Sequence, residues 1–140
     1  MLDKVVTLHR AGAVTLHKFD QTAPQQSGEV AVRVVARAPE RHCQLKLWDP
    51  RGRNPVPLEP WEFPKKDDHT WRLEKSLDEL DGCTLTWSVR FFAPQADRFE
   101  LRVQVLHNGA EQPGGQFFYS GPLEASEIEA RDGRFHFKVE

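Results

Sequence analysis

Two segments in the middle of the chain alternate apolar and polar residues so strictly that they fit only half-buried β-strands. Residues 83–91 place Cys83, Leu85, Trp87, Val89 and Phe91 on one side and Thr84, Thr86, Ser88 and Arg90 on the other. Residues 98–107 divide Phe99, Leu101, Val103 and Val105 from Arg98, Glu100, Arg102 and Gln104. Successive side chains leave opposite faces of a strand, so each segment buries one face and wets the other. The link Ala93-Pro94-Gln95-Ala96-Asp97 is short and turn-like, which predicts an antiparallel hairpin at the centre of the fold.

The pattern recurs less strictly elsewhere. Val30, Val32 and Val34 alternate with Ala31 and Arg33, and Cys43, Leu45 and Leu47 alternate with His42, Gln44 and Lys46. Asp49-Pro50-Arg51-Gly52 then carries the preferences of a type I turn. Near the C-terminus, Asp132-Gly133 is a two-residue hairpin signal. Pairing outward from it sets Ala130 against Phe135 and Ile128 against Phe137, with Glu129 facing His136 and Glu127 facing Lys138. The tetrapeptide Val-Thr-Leu-His, at 6–9 and again at 14–17, predicts an N-terminal hairpin, and 20–28 reads as a loop.

Helical spacing occurs at 73–81, where Leu73, Leu77 and Leu80 share a face and Ser76-Leu77-Asp78-Glu79 matches a capping box. The expected class is therefore all-β, an antiparallel two-sheet β-sandwich of about eight or nine strands with at most one short helix near 73–81. Its general architecture is expected to be immunoglobulin-like or C2-like, with a barrel as the alternative. An immunoglobulin domain proper has a Trp about a dozen residues after its first Cys and a Tyr two before its second. Here Trp48 follows Cys43 too closely, and Asp81 holds the Tyr position.

With 140 residues, 39% of them hydrophobic, the chain is expected to form one domain, 1–140, whose core needs neither disulfide nor metal. Nineteen Lys and Arg against twenty-one Asp and Glu give a net charge of −2, which argues against a nucleic-acid partner. The opening residues lack a continuous apolar run, so neither a signal peptide nor membrane insertion is expected, and the cytoplasm is the expected location. Cys43 and Cys83 fall at apolar-face positions and are expected to be buried, reduced thiols.

No chemistry-bearing motif stands out. The six His have no local ligand spacing, the acidic groups Asp67-Asp68 and Asp78, Glu79 and Asp81 do not match a calcium loop, and no Gly-x-Ser-x-Gly or Gly-rich phosphate loop occurs. The expectation is a protein that is not an enzyme, with no catalytic residue, metal or cofactor. The aromatic residues depart most from an ordinary surface. Trp87 belongs to the core face of its strand, whereas Trp48 has polar-face parity, Trp71 follows a charged run, and Trp61 and Phe63 lie between Pro60 and Pro64. Aromatics on proline-stiffened loops make a rigid contact surface, because ordering them on contact loses little entropy. The same two side chains, folded inward, would instead plug an open end of the sandwich.

The 48–71 region, with Trp48, Arg51, Arg53, Trp61, Phe63 and Trp71, is thus the candidate contact surface of a non-catalytic protein-binding module, an accessory, adaptor or assembly component. Self-association is a variant of that reading. The alternative is a carbohydrate-binding module in which Trp48, Trp61 or Trp71 stacks on sugar rings.

Overall fold

The alternating segments become strands of two sheets packed face to face, each sheet turning its apolar side inward. The structure, a computed structural model, describes residues 2–10, 29–58 and 67–140. In chain order the elements are β1 (Leu2–Leu8), β2 (Val30–Arg37), β3 (Glu40–Trp48), β4 (Val56–Pro57), β5 (Asp68–Arg72), α1 (Leu77–Leu80), β6 (Thr84–Phe92), β7 (Asp97–His107), β8 (Ala110–Leu123) and β9 (Ile128–Val139). The first sheet runs β1-β9-β6-β3-β4 and the second β5-β2-β7-β8. All pairings are antiparallel except β1 with β9, which is parallel.

Parity of the strands sets the core. Cys43, Leu45 and Leu47 of β3, Leu85, Trp87, Val89 and Phe91 of β6, and Phe135 and Phe137 of β9 point inward from the first sheet. Val30, Val32 and Val34 of β2, Phe99, Leu101, Val103 and Val105 of β7, and Phe117 of β8 meet them from the second. Aromatic rings bridge the layers: Phe91 stacks on Phe99 at 4.9 Å, and Trp87 meets Phe117 edge-on at 5.1 Å. Such inter-sheet interdigitation is what closes a sandwich.

The expected helix is present as a single turn. The Ser76 side chain accepts from the Glu79 backbone N–H at 3.2 Å, and the Glu79 carboxylate accepts from the Ser76 N–H at 3.0 Å. Both halves of the capping box are therefore made. Leu77 and Leu80 of α1 and the preceding Leu73 are buried against one end of the core.

Two hairpins expected from sequence are absent. Residues 93–97 carry the chain from the first sheet into the second, so β6 and β7 are not paired. β6 lies between β3 and β9, and β7 lies between β2 and β8. Alternation reports that a strand is half-buried and carries nothing about its neighbours.

Asp132-Gly133 is likewise no turn, because β9 runs straight through it. Gly133 sits opposite Trp87 of β6, and a Cβ placed on it would come within 2.7 Å of the indole Cζ2. The glycine is there to make room for the indole. Ile128, assigned by the hairpin to the same face as Phe137, is exposed. The N-terminal hairpin expected at 6–17 extends beyond the described residues; within them β1 aligns beside β9 and buries Val6 and Leu8.

Overpacking at this contact makes Gly133→Ala destabilising by about 1–3 kcal/mol in urea unfolding. The double variant Gly133→Ala/Trp87→Phe is expected to lose clearly less than the sum of its two single losses, since a smaller ring accepts the new methyl.

Candidate functional site

The residues singled out from sequence do not form one surface. Trp71 is a core residue, 2% exposed, lying opposite Val32 with its ring edge-on to His69 at 4.6 Å. Its strand parity, continued inward by the buried Leu73, outweighs the charged run before it. Trp61 and Phe63 lie outside the described residues.

Trp48, Arg51 and Arg53 remain together where β3 ends. The Trp48 indole is half-buried on the outer side of the first sheet, and its Nε1–H donates to Thr86 Oγ1 on the neighbouring strand at 2.9 Å. Thr86 pairs with Lys46 rather than Trp48, so the indole reaches diagonally along the sheet. Beyond it, the expected turn at 49–52 is made: the Gly52 N–H donates to the Asp49 carbonyl at 2.8 Å, with Gly52 at φ 72°. The Asp49 carboxylate accepts from the backbone N–H groups of Arg51 and Arg53 and from the Asn54 amide, at 2.8–3.0 Å. Chiefly through the Arg53 N–H, this holds the Asp49 carboxyl below the ordinary carboxylate range. The exposed Arg51 and Arg53 side chains project from a turn whose backbone is tied down.

On the outer side of the same sheet, Arg134 grips Asp3 with two hydrogen bonds at 2.6 and 3.0 Å. His136 Nδ1 lies 2.9 Å from Thr84 Oγ1, and His136 Nε2 lies 3.7 Å from Asp3 Oδ1. This is a polar row tying β1, β9 and β6 together, with the carboxylate engaged foremost by the guanidinium.

A different surface combines concavity, charge and an exposed aromatic ring. The outer side of the second sheet carries a trough of about 620 Å³ lined by Arg33, Val35, Arg37, Asp67, Asp68, Glu100 and Arg102. Strand register explains the grouping: Asp68, Val35, Arg102 and Phe118 form one row across β5, β2, β7 and β8. Val35 is the apolar floor, 8% exposed beneath longer neighbours. Most charges in the trough are matched. Arg33 pairs with Asp68 at 2.9 Å, Arg37 with Glu100 at 3.4 Å and Asp67 at 3.5 Å, and Arg41 with Asp67 at 3.9 Å. Arg102 has no carboxylate partner among the described residues and rests 5.2 Å from the ring centre of Phe118, which is 54% exposed.

Alternation puts Arg98, Glu100 and Arg102 on the polar side of β7 without relating them to other strands. The available signal was in β2, where Val-Ala-Val-Arg-Val-Val-Ala-Arg sets apolar residues at both parities. Ala31 and Val35 on a side that should be wet mark a covered or contacting surface.

The cysteines are free and buried, as expected. Burial pushes the Cys43 thiol up to about 12. Cys83 is also raised, first by burial, and its thiol donates to the Glu79 carbonyl at 3.1 Å. Neither thiol has the lowered pKa of a nucleophile. Among the described residues, no three His, Cys, Asp or Glu side chains gather in a metal-binding group, and no helix is long and apolar enough to cross a membrane.

No family model and no curated relative matches this sequence. Crystal structures similar to it include a domain of unknown function, DUF4425, from Bacteroides vulgatus, with 9% identity and a TM-score of 0.45. A DUF4425 family protein from Bacteroides ovatus gives 13% identity and a TM-score of 0.46. Each comparison covers 76% of this chain and 94% of the other.

Two outcomes follow from the site chemistry. A disulfide thiol reagent at pH 8 is expected to leave both cysteines unmodified in the native protein and to titrate both in denaturant; rapid labelling of either in native buffer would contradict their burial. A carboxyl with a depressed folded-state pKa stabilises the fold above about pH 4, and that contribution disappears as acid carries the pH through the lower value. Asp49→Asn is therefore expected to be less stable than wild type at pH 7 and to converge towards it by about pH 2 in acid-dependent thermal melts.

Proposed function

We propose that this chain is a non-catalytic β-sandwich module that works by binding another protein through the outer side of its second sheet. The observation that carries the reading is the Val35, Arg102 and Phe118 row: an apolar floor, a guanidinium without a carboxylate partner among the described residues, and an exposed aromatic ring, side by side on the sheet. Arg and aromatic side chains are the residues that dominate protein–protein contacts, and strands of a packed sheet hold them in place before contact. The cytoplasm suits two buried, unbridged cysteines.

A carbohydrate platform is less well supported. Of the indoles considered for it, Trp71 is buried and Trp48 lies along the sheet with its N–H bonded to Thr86.

Pull-down from lysate of the source organism, followed by reconstitution with the purified partner, tests the assignment. Phe118→Ser is expected to weaken the partner at least about tenfold, a change of about 1.4 kcal/mol, while Trp48→Ala leaves it bound. Both variants should keep the wild-type circular dichroism spectrum. Equal retention by Phe118→Ser would remove the second sheet as the contact surface, and loss with Trp48→Ala alone would move the surface to the end of β3.

A further inference from the structure

We infer that Arg131 is an edge guard: it holds shut an uncovered stretch of β9, Ile128–Asp132, that would otherwise pair strand to strand with the same stretch of a second copy of this chain. The inference concerns the first sheet and is independent of the contact surface proposed on the second.

The uncovered stretch follows from strand lengths. β9 spans twelve residues, of which β1 covers Gly133–Val139. β6 pairs with the other side of β9 from Ile128 to His136 in unbroken register. The side of Ile128–Asp132 turned away from β6 therefore has no strand beside it among the described residues. Backbone direction identifies the groups on that side. The Phe137 N–H donates to the Cys83 carbonyl just before β6, at 2.9 Å, whereas the Glu140 N–H donates to the Leu8 carbonyl of β1, at 2.9 Å. Direction repeats every second residue, so Ile128, Ala130 and Asp132 turn their amides to the open side. Such a row is a template for another chain.

Arg131 closes it. The side chain has the inward parity of Gly133 and Phe135, so a guanidinium stands where the alternation calls for an apolar residue. There it donates to the Ala130 carbonyl at 2.8 Å, bonds the Glu129 carboxylate, and lies 5.3 Å from the ring centre of Phe99 and 5.5 Å from that of Tyr119. A strand arriving at Ala130 has to displace that hydrogen bond and lift the guanidinium from both rings. β1, at the edge of the same sheet, repeats the device: Lys4 has the parity of the buried Val6 and Leu8 and sets its Nζ 4.8 Å from the ring centre of Phe117. Inward-pointing charge is a means by which sheet edges avoid pairing with other chains.

The excluded occupant is a second copy because the stretch matches itself. Antiparallel pairing about Ala130 sets it against the partner's Ala130 and Ile128 against the partner's Asp132, so outward amides meet. The same register puts Arg131 beside the partner's Glu129, but each Arg131 already holds the Glu129 of its own chain, so the exchange gains no ion pair.

Sedimentation equilibrium and amide hydrogen exchange on the full chain test the guard. In wild type, exchange at Ala130 and Asp132 is expected to be fast and independent of concentration up to about 0.2 mM. Arg131→Met keeps a stem over Phe99 and Tyr119 but loses the donor and the charge. It is expected to self-associate at least about tenfold more tightly and to slow exchange at those two amides as concentration rises. Arg131→Thr carries the same expectation, and Arg131→Lys, which keeps a cation, is expected to behave as wild type. Adding Ala130→Pro to Arg131→Met removes an outward N–H while sparing the β6 ladder, and is expected to reverse the association. Each variant should keep the wild-type circular dichroism spectrum. Concentration-dependent protection of these amides in wild type, unchanged association in both Arg131→Met and Arg131→Thr, or association that survives Ala130→Pro would each overturn the inference.

Discussion

The seating of Trp87 over Gly133 is the contact on which the packing of this sandwich turns. β6 is the middle strand of the first sheet, and its indole lies where a side chain from β9 would otherwise stand. With that space vacated, the ring is fully covered and reaches Phe117 of the opposite sheet, which in turn packs against Phe135 at 5.1 Å. One missing side chain thus sets how closely two strands of one sheet and one of the other converge. The arrangement has a cost, since the buried indole Nε1–H has no acceptor among the described residues. An unmet buried donor costs about 1–3 kcal/mol, which burial of so large an aromatic surface offsets.

What could be read from the chain divides along the range of the interactions involved. Alternation, the Ser76 to Glu79 capping box and the Asp49 to Gly52 turn depend on residues a few positions apart, and all three are found as expected. The choice of strand partners depends on contacts between segments far apart in the sequence, and there local signals mislead. Ala93 to Asp97 looks like a hairpin because a turn within a sheet and an arch between sheets use the same residues. Asp132-Gly133 looks like one because the composition of a tight turn is identical to that of a strand hollowed out beneath a tryptophan.

The site divides in the same way. Parity set Trp48 on the polar face or strand end, where its indole lies on the outer side of the sheet, but it did not bring Trp71 inward, because a five-residue strand is too short to show its own period. The trough is not legible in the sequence for a further reason. Arg33, Arg37, Asp68, Glu100 and Arg102 belong to three strands spread over seventy residues, and only register reveals which charges cancel and which one is left over. A polar face on one strand is uninformative; a cross-strand row can be distinctive.

The parallel pairing of β1 with β9 carries a consequence for how the chain acquires its shape. Among the described residues every other strand pairs with one much nearer in sequence, whereas Leu2–Leu8 pairs with Gly133–Val139. During translation β1 is made well before β9, so the pairing that covers the apolar side of Val6 and Leu8 from that strand forms only after about 125 further residues have been delivered. Closure of so long a loop is slow, which makes the docking of Leu2–Leu8 beside β9 a late step in folding.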